Sequence, residues 1–255
     1  MAESDAVRTT PSLLTPDTAL FLDIDGTLIE FVPHPEDARV PVSLLDTIVA
    51  LRATLSGALA MVSGRKLADI DRLFAPLALS AAGQHGAEAR FAADGAAQVF
   101  VSPIAALATV LEHAQLFLTA HPRIRVEQKG LSTAFHYRTD AGAAHGLRAV
   151  LEKAVALYED ELHLLDSHLC YDVRARHANK GKVVERFMRA PPFAGRVPVY
   201  VGDDWTDEDG FTAALAMNGR AIRVGAPRPT LATEAIAEPA ALRDWLDASR
   251  RALSG

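Results

Sequence analysis

Two carboxylates one residue apart, Asp23 and Asp25, follow the apolar run Ala19–Leu22 and are followed at once by Gly26 and Thr27. Such a run reads as a short buried strand, and a glycine just beyond it allows the sharp turn that leaves both acids exposed at the strand's carboxyl end. In an open α/β sheet that edge is where ligands bind, so paired acids there are placed for nucleophilic and acid–base work. Asp-Gly is also ordinary turn chemistry, and this stretch alone does not separate the two readings. A second acidic stretch, Gly202-Asp203-Asp204-Trp205-Thr206-Asp207-Glu208-Asp209, lies where another apolar run gives way to a helical pattern. Hard oxygen ligands from both stretches, converging on one point, suit Mg²⁺, which takes one or two carboxylates, waters and substrate phosphate. Thr206-x-x-Asp209 has the form of a helix capping box, which accounts for the later acids but not for Asp203 and Asp204. The ligand spacing of a calcium-binding helix–loop–helix is absent.

Two further stretches fit a phosphoryl group. Ser63 and the N–H groups of Gly64 and Arg65, at an expected helix start, form an anion site, although serine there is also a common N-cap. Lys180, in Asn179-Lys180-Gly181-Lys182, is placed to neutralise a carboxylate pair and a phosphate together; Lys182 is a rival, and most lysines are merely solvated.

The elements that must position these groups alternate. Strands are expected over the apolar run Ala19–Leu22, which opens the stretch to Leu28, and over Ala58–Val62 and Leu79–Ala82, with helices around Leu44–Leu51 and over Lys66–Phe74 between them. That alternation predicts a doubly wound parallel sheet. From Ala87 to about Ala175 the pattern changes to a hairpin around Asp94-Gly95, a helix over Pro103–Ala120, a hairpin over Ile124–Arg138 turning at Lys129-Gly130, a helix over Ala144–Tyr158 and a strand pair over Leu162–Val173. Alternation then resumes with a helix over Val183–Met188, a strand over Val197–Val201, a helix over Glu208–Ala216, a strand over Ala221–Val224 and a helix over Arg243–Leu253. The expected fold class is therefore α/β, a Rossmann-like core with an inserted α+β cap. A flexible tail is expected over 1–16, the core over 17–86 and 176–255, and the cap over 87–175.

Composition narrows the partners. With 49% hydrophobic and 23% charged residues among 255, the chain is an ordinary soluble globular one, able to bury one large core or two modest ones. A net charge of −6 argues against nucleic acid or an anionic membrane as the main partner, since either needs a basic face. No apolar run is long enough to span a bilayer, and the first residues lack the basic start and apolar block of a secretory signal. The single Cys170 excludes an intrachain disulfide and reads as a buried, inert thiol in a reducing cytoplasm.

Asp23-Ile-Asp25-Gly-Thr27, Ser63-Gly-Arg, Lys180 and Gly202-Asp203-Asp204-x-x-Asp207, in that order, resemble the four motifs of the haloacid dehalogenase (HAD) superfamily of phosphotransferases. More narrowly, from about Ala19 to Leu246 the chain resembles the trehalose-6-phosphate phosphatase family. That match rests on Pro33-His34-Pro35, Gly83-x-His85-Gly86-Ala87-Glu88, Glu127-x-Lys129-Gly130, His136-Tyr137-Arg138 and Gly-Asp-Asp-x-Thr-Asp-Glu. It departs at Asp172, in Tyr-Asp-Val, where relatives usually carry a longer Glu. The resemblance implies Asp23 as nucleophile and Asp25 as acid and base. It implies Mg²⁺ on Asp23, the backbone carbonyl of Asp25 and Asp203, with Asp204 and Asp207 behind them. Thr27, Ser63, Gly64 and Lys180 would hold the phosphoryl group, alongside Asp23 and Asp25. Arg65, His85, Glu127, Lys129 and Asp172 are the expected sugar-side residues, although Glu127 and Lys129 also read as cross-strand ion pairing; His136-Tyr137-Arg138 reads as structural. The implied activity is hydrolysis of trehalose 6-phosphate, the last step of trehalose biosynthesis. The implied enzyme is a cytoplasmic monomer, with a functional link to a trehalose-6-phosphate synthase. Alternatives are a phosphatase or mutase for another sugar phosphate, such as sucrose 6-phosphate, or a non-catalytic phosphosugar sensor. A pure sensor has no use for both Asp23 and Asp25.

Overall fold

The computed structural model describes residues 11–32, 35–100, 104–167 and 169–254. In chain order the elements are β1 (Thr18–Leu22), α1 (Val42–Thr54), β2 (Leu59–Val62), α2 (Leu67–Phe74), β3 (Ser80–Gly83), β4 (Glu88–Arg90), β5 (Gln98–Val99), α3 (Ile104–Ala120), β6 (Arg125–Gln128), β7 (Ser132–His136), α4 (Ala144–Val155), β8 (Leu162–Ser167), β9 (Cys170–Ala175), α5 (Lys180–Phe187), β10 (Val197–Gly202), α6 (Glu208–Ala216), β11 (Arg220–Val224), β12 (Glu234–Ile236) and α7 (Pro239–Ser254). They form two compact units, one of residues 1–98 with 179–255 and one of residues 99–178.

The first unit holds a sheet of strand order β12-β11-β10-β1-β2-β3-β4-β5, parallel from β12 to β3. All five residues of β1 are buried because the strand is covered on both faces. Leu20 and Leu22 pack with Leu44, Ile48 and Leu51 of α1 and with Leu242 and Leu246 of α7. Phe21 points the other way, its ring 5.8 Å from that of Phe187 in α5 and 5.4 Å from that of Phe193. β1 lies between β2 and β10, so the chain leaves it first to one side and later to the other. That makes the carboxyl end of β1 the topological switch point, where the two flanking connections diverge and leave a crevice.

The second unit is a four-stranded antiparallel sheet of order β6-β7-β9-β8. One face, with Phe135, Tyr171, Val173 and Leu162, forms a core with Val110 and Ala114 of α3 and Leu147 and Leu151 of α4. The register Glu127↔Ala134↔Asp172↔Leu165 puts Glu127 and Asp172 on the opposite face.

Several details differ from the sequence reading. The hairpin strands β4 and β5, expected to open the insertion at Ala87, extend the large sheet instead: β4 pairs antiparallel with β3, and Ala89 is fully buried against Ala82. A change from alternating elements to a hairpin marks a change of strand direction, and that does not require a new unit. Strand β12 was not foreseen, because three residues are too few to show a period. Helices α5 and α7 begin earlier than their apolar patterns, at Lys180 and Pro239. Of the expected flexible tail, residues 1–10 lie outside the described residues, while 11–16 are tied down. Leu14 is buried, its N–H donates to Ser249 Oγ, and Trp245 Nε1 donates to the Pro11 carbonyl. Pro33 and His34 also lie outside the described residues.

Candidate active site

Asp23 leaves β1 directly and keeps one more rung of the sheet, its N–H donating to the Val201 carbonyl at 3.0 Å. The chain then folds back on Ile24, whose carbonyl accepts the N–H groups of Leu28 at 2.9 Å and Ile29 at 3.1 Å. Burial of Ile24 and Leu28 fixes the inside of this turn, and Gly26, at φ 78°, makes it possible. A Cβ at Gly26 would also collide with the Asp203 carboxylate, so the glycine lets the two acidic loops touch. Thr27, fully buried, donates its hydroxyl to Asp203 Oδ1 at 2.7 Å.

The loop after β10 is organised by Asp207. Its Oδ1 accepts from Lys180 Nζ at 2.6 Å and from the Tyr200 hydroxyl at 2.8 Å; its Oδ2 accepts the N–H groups of Asp203 and Asp204, each at 3.0 Å. Lys180, at the first position of α5 and 2% exposed, also reaches Asp23 Oδ1 at 3.0 Å. Asn179 caps that helix, its side chain accepting from Lys182 N, and so sets the residue that follows it. The capping box at the acidic loop lies two residues before the expected one: it is formed by Asp204 and Asp207 over the turn Trp205–Asp207, and Thr206 lies inside that turn. The Asp204 carboxylate therefore serves the backbone, accepting from Trp205 N at 2.7 Å. Arg228, which sequence reasoning passed over, clamps the same loop. It donates to the carbonyls of Asp203 and Asp204 and to Glu208 Oε1, and it lies 4.5 Å from the Trp205 ring.

Oxygens of Asp23, Asp203 and Asp207 lie within 4.8 Å of one another, with Lys180 as the cation between Asp23 and Asp207. Burial, reinforced by Asp207, pushes the Asp23 carboxyl well above the usual carboxylate range, and the same causes push Asp203 up to about 7. Burial opposes the charge on Lys180, but Asp207 and Asp23 outweigh it and hold the ammonium above its ordinary range. Excess negative charge of this kind fits a divalent cation. With four donors on Asp207, the acids left to ligate are Asp23 and Asp203, two hard oxygen donors of the number Mg²⁺ takes from protein.

Ser63 follows β2, buried, and its Oγ accepts the N–H of Arg65 at 3.2 Å. It is not an N-cap: α2 starts later, behind Lys66, and the N–H of Leu67 is taken by Glu88 Oε1 at 3.0 Å. The same oxygen accepts from Gln84 Nε2 at 3.0 Å, which gives Glu88 of the Gly-x-His-Gly-Ala-Glu stretch a structural task. His85, at φ 58°, lies over Gly64, where a Cβ would come within 2.7 Å of its ring. Arg65 reaches Asp25, with Nε to Oδ2 at 2.7 Å and Nη2 to Oδ1 at 2.6 Å.

The first unit thus brings together Asp23, Thr27, Lys180, Asp203 and Asp207, with Asp25 held by Arg65 beside Ser63 and Gly64. Glu127 and Asp172 lie on one face of the second unit's sheet, and Lys129 follows β6 at its turn. Glu127 Oε2 pairs with His136 Nε2 at 3.1 Å, and this hydrogen bond pulls the Glu127 carboxyl below its usual range. Tyr200 was missed because a tyrosine inside an apolar strand reads as core, and no local spacing marks its hydroxyl's partner.

The fold is one shared with solved phosphatase structures. The fold matches a phosphatase of the haloalkanoate (HAD) enzyme superfamily from Bacteroides thetaiotaomicron with a TM-score of 0.61 at 16% identity, over 99% of this chain and 98% of that one. It matches the C-terminal domain of Candida albicans trehalose-6-phosphate phosphatase with a TM-score of 0.81 at 19% identity, over 92% of each chain. The trehalose-phosphatase family model covers residues 21–238, and Escherichia coli trehalose-6-phosphate phosphatase is 32% identical over 238 residues, 92% of this chain and 87% of that protein. The chain belongs to the trehalose-phosphatase family.

Proposed function

We propose that this chain is a Mg²⁺-dependent phosphatase that hydrolyses trehalose 6-phosphate to trehalose and phosphate through an aspartyl-phosphate on Asp23. The observation that carries the reading is the position of the Asp23 carboxylate, buried at the end of β1 between Lys180 and the Asp203 loop. Asp23 attacks phosphorus as the bond to the sugar oxygen breaks, and Asp25 protonates that oxygen. Asp25 then takes a proton from water as the water attacks the aspartyl-phosphate, which releases phosphate and restores the Asp23 carboxylate. Lys180, the Ser63 hydroxyl and the N–H of Gly64 stabilise the transferring oxygens, and Thr27 orients Asp203. Asp23, Asp203 and the Asp25 carbonyl would hold the divalent cation, which would supply the charge screening that lets one anion attack another. Asp207 holds Lys180 and the loop, and Asp204 caps that loop.

Specificity belongs to Glu127, Lys129 and Asp172, whose charged groups make strong hydrogen bonds to sugar hydroxyls; His85 serves the sugar side of the core. We read the inserted region as the specificity cap, and the protein as a cytoplasmic monomer that consumes a synthase's product. No described helix is long and apolar enough to cross a membrane.

The test is Mg²⁺-dependent phosphate release from trehalose 6-phosphate, sucrose 6-phosphate, glucose 6-phosphate and mannose 6-phosphate. The expected result is preference for trehalose 6-phosphate and a loss of roughly 10⁴-fold or more in Asp23→Asn. Release from another sugar phosphate alone would overturn the specificity. Binding without release would make the protein a sensor.

A further inference from the structure

We propose that Arg65 is a positioning residue that acts through Asp25, an inference that rests on the reading of Asp25 as the acid–base group. Asp25 stands on a turn outside the sheet, its side chain 27% exposed. Arg65, 40 residues away in sequence, fixes it with two parallel hydrogen bonds of 2.7 and 2.6 Å. A guanidinium fork matches a carboxylate in both distance and plane, which a single ammonium cannot do. Arg65 is in turn anchored at both ends of its peptide: its N–H donates to Ser63 Oγ at 3.2 Å, and its carbonyl accepts Gln84 N at 2.8 Å. The chain Gln84–Arg65–Asp25 therefore ties the acid–base carboxylate to the rigid ends of β2 and β3. Proton transfer needs that rigidity, since a misplacement of about 1 Å can cost roughly 10²-fold in rate.

Arg65 also borders a cleft of about 320 Å³ lined with Glu36, Arg39, Asp69 and Arg72. Its side chain is itself buried, 9% exposed, so truncation opens space beside this cleft and stability is read together with the kinetics.

The test compares kcat and KM for trehalose 6-phosphate and for p-nitrophenyl phosphate, which has no sugar, in Arg65→Ala, Arg65→Lys, Asp25→Asn and Arg65→Ala/Asp25→Asn. Thermal melting is followed alongside. A positioning role predicts that Arg65→Ala lowers kcat on both substrates by about 10²-fold with KM within about threefold. Arg65→Lys should recover only part of the loss. In the Asp25→Asn background, removing Arg65 should cost no more than about twofold, because the group it positions is already gone. A rise in KM for the sugar phosphate alone, with p-nitrophenyl phosphate unaffected, would make Arg65 a sugar contact and overturn the proposal. So would a full additional loss in the Asp25→Asn background. If Arg65→Ala fails to fold, Arg65→Lys decides: it keeps charge and bulk without the fork, so an unchanged kcat overturns the proposal. A wild-type protein that releases phosphate from neither substrate would instead remove the phosphatase reading itself.

Discussion

Carboxylates in the two units are displaced in opposite directions. At the ends of β1 and β10, burial and mutual repulsion push Asp23 and Asp203 up, whereas on the four-stranded sheet a hydrogen bond from His136 pulls Glu127 down. The first arrangement concentrates more negative charge than Lys180 neutralises, and so fits a cation. The second keeps a carboxylate ionised and half-exposed, which suits repeated binding and release of a neutral sugar. In the proposed function, reactive and recognising acids are the same chemical group, and their surroundings divide the work between them.

The comparison breaks most readily at Lys180. Lys180→Met removes the buried cation from between Asp23 and Asp207 and should lower unfolding stability by about 3–5 kcal/mol in metal-free buffer, measured by urea denaturation. Phosphate release should vanish with it. A loss below about 1 kcal/mol would mean that the acids tolerate one another without a counterion. Mg²⁺ should have the next largest effect. Burial and Asp207 push the Asp203 carboxyl up to about 7, and Asp23 is raised as well, so at low pH a cation must displace protons to bind. Affinity should therefore rise with pH through about 7. Thermal stabilisation by Mg²⁺ should follow, approaching about 2.7 kcal/mol at a hundredfold excess over Kd. Without metal the sign reverses: a carboxyl group with a raised folded pKa favours the native state at low pH, and that stability is lost as pH rises through about 7. Calorimetry at pH 6 and pH 8, with and without Mg²⁺, checks both signs.

Smaller effects sharpen the contrast. Tyr200→Phe deletes one donor to Asp207 with little change of shape and should cost about 1.5–3 kcal/mol, the range for a hydrogen bond to a charged group. Glu127→Gln should cost less than about 1 kcal/mol of stability, because its partner His136 is itself partly exposed, and should raise KM for the sugar phosphate more than it lowers kcat. Equal losses of kcat on a sugarless substrate would place Glu127 in the chemistry instead. Last, burial and Asp172 push the Cys170 thiol up to about 12, so the native protein should resist iodoacetamide at pH 8, as mass spectrometry would show.

Much of this was legible before any coordinates. The apolar run of β1 with Asp23, Asp25 and Gly26 behind it announced a strand, a turn and a reactive edge, because burial on both faces leaves an unbroken apolar signature. The alternation of strands and helices announced the parallel sheet. What stayed hidden were partnerships between distant residues: Thr27 with Asp203 across 176 positions, Arg65 with Asp25 across 40 and Lys180 with Asp207 across 27. Periodicity says which face a residue takes, not which charge it meets there. That the hairpin β4–β5 joins the large sheet instead of opening the insertion was hidden for the same reason, since strand pairing beyond the turn leaves no local mark.

The sequence by itself determined the candidate reacting groups and their order along the chain, because strand, turn and carboxylate are contiguous and their chemistry is local. Only the tertiary structure decided which acids are taken up by donors and which are left open to a ligand. Asp207 and Asp203 are indistinguishable as residues, yet one receives four donors from α5, β10 and its own loop, while the other receives Thr27 on a single oxygen. How many donors reach a carboxylate depends on which elements are packed around it, and that is settled only when the sheet has assembled.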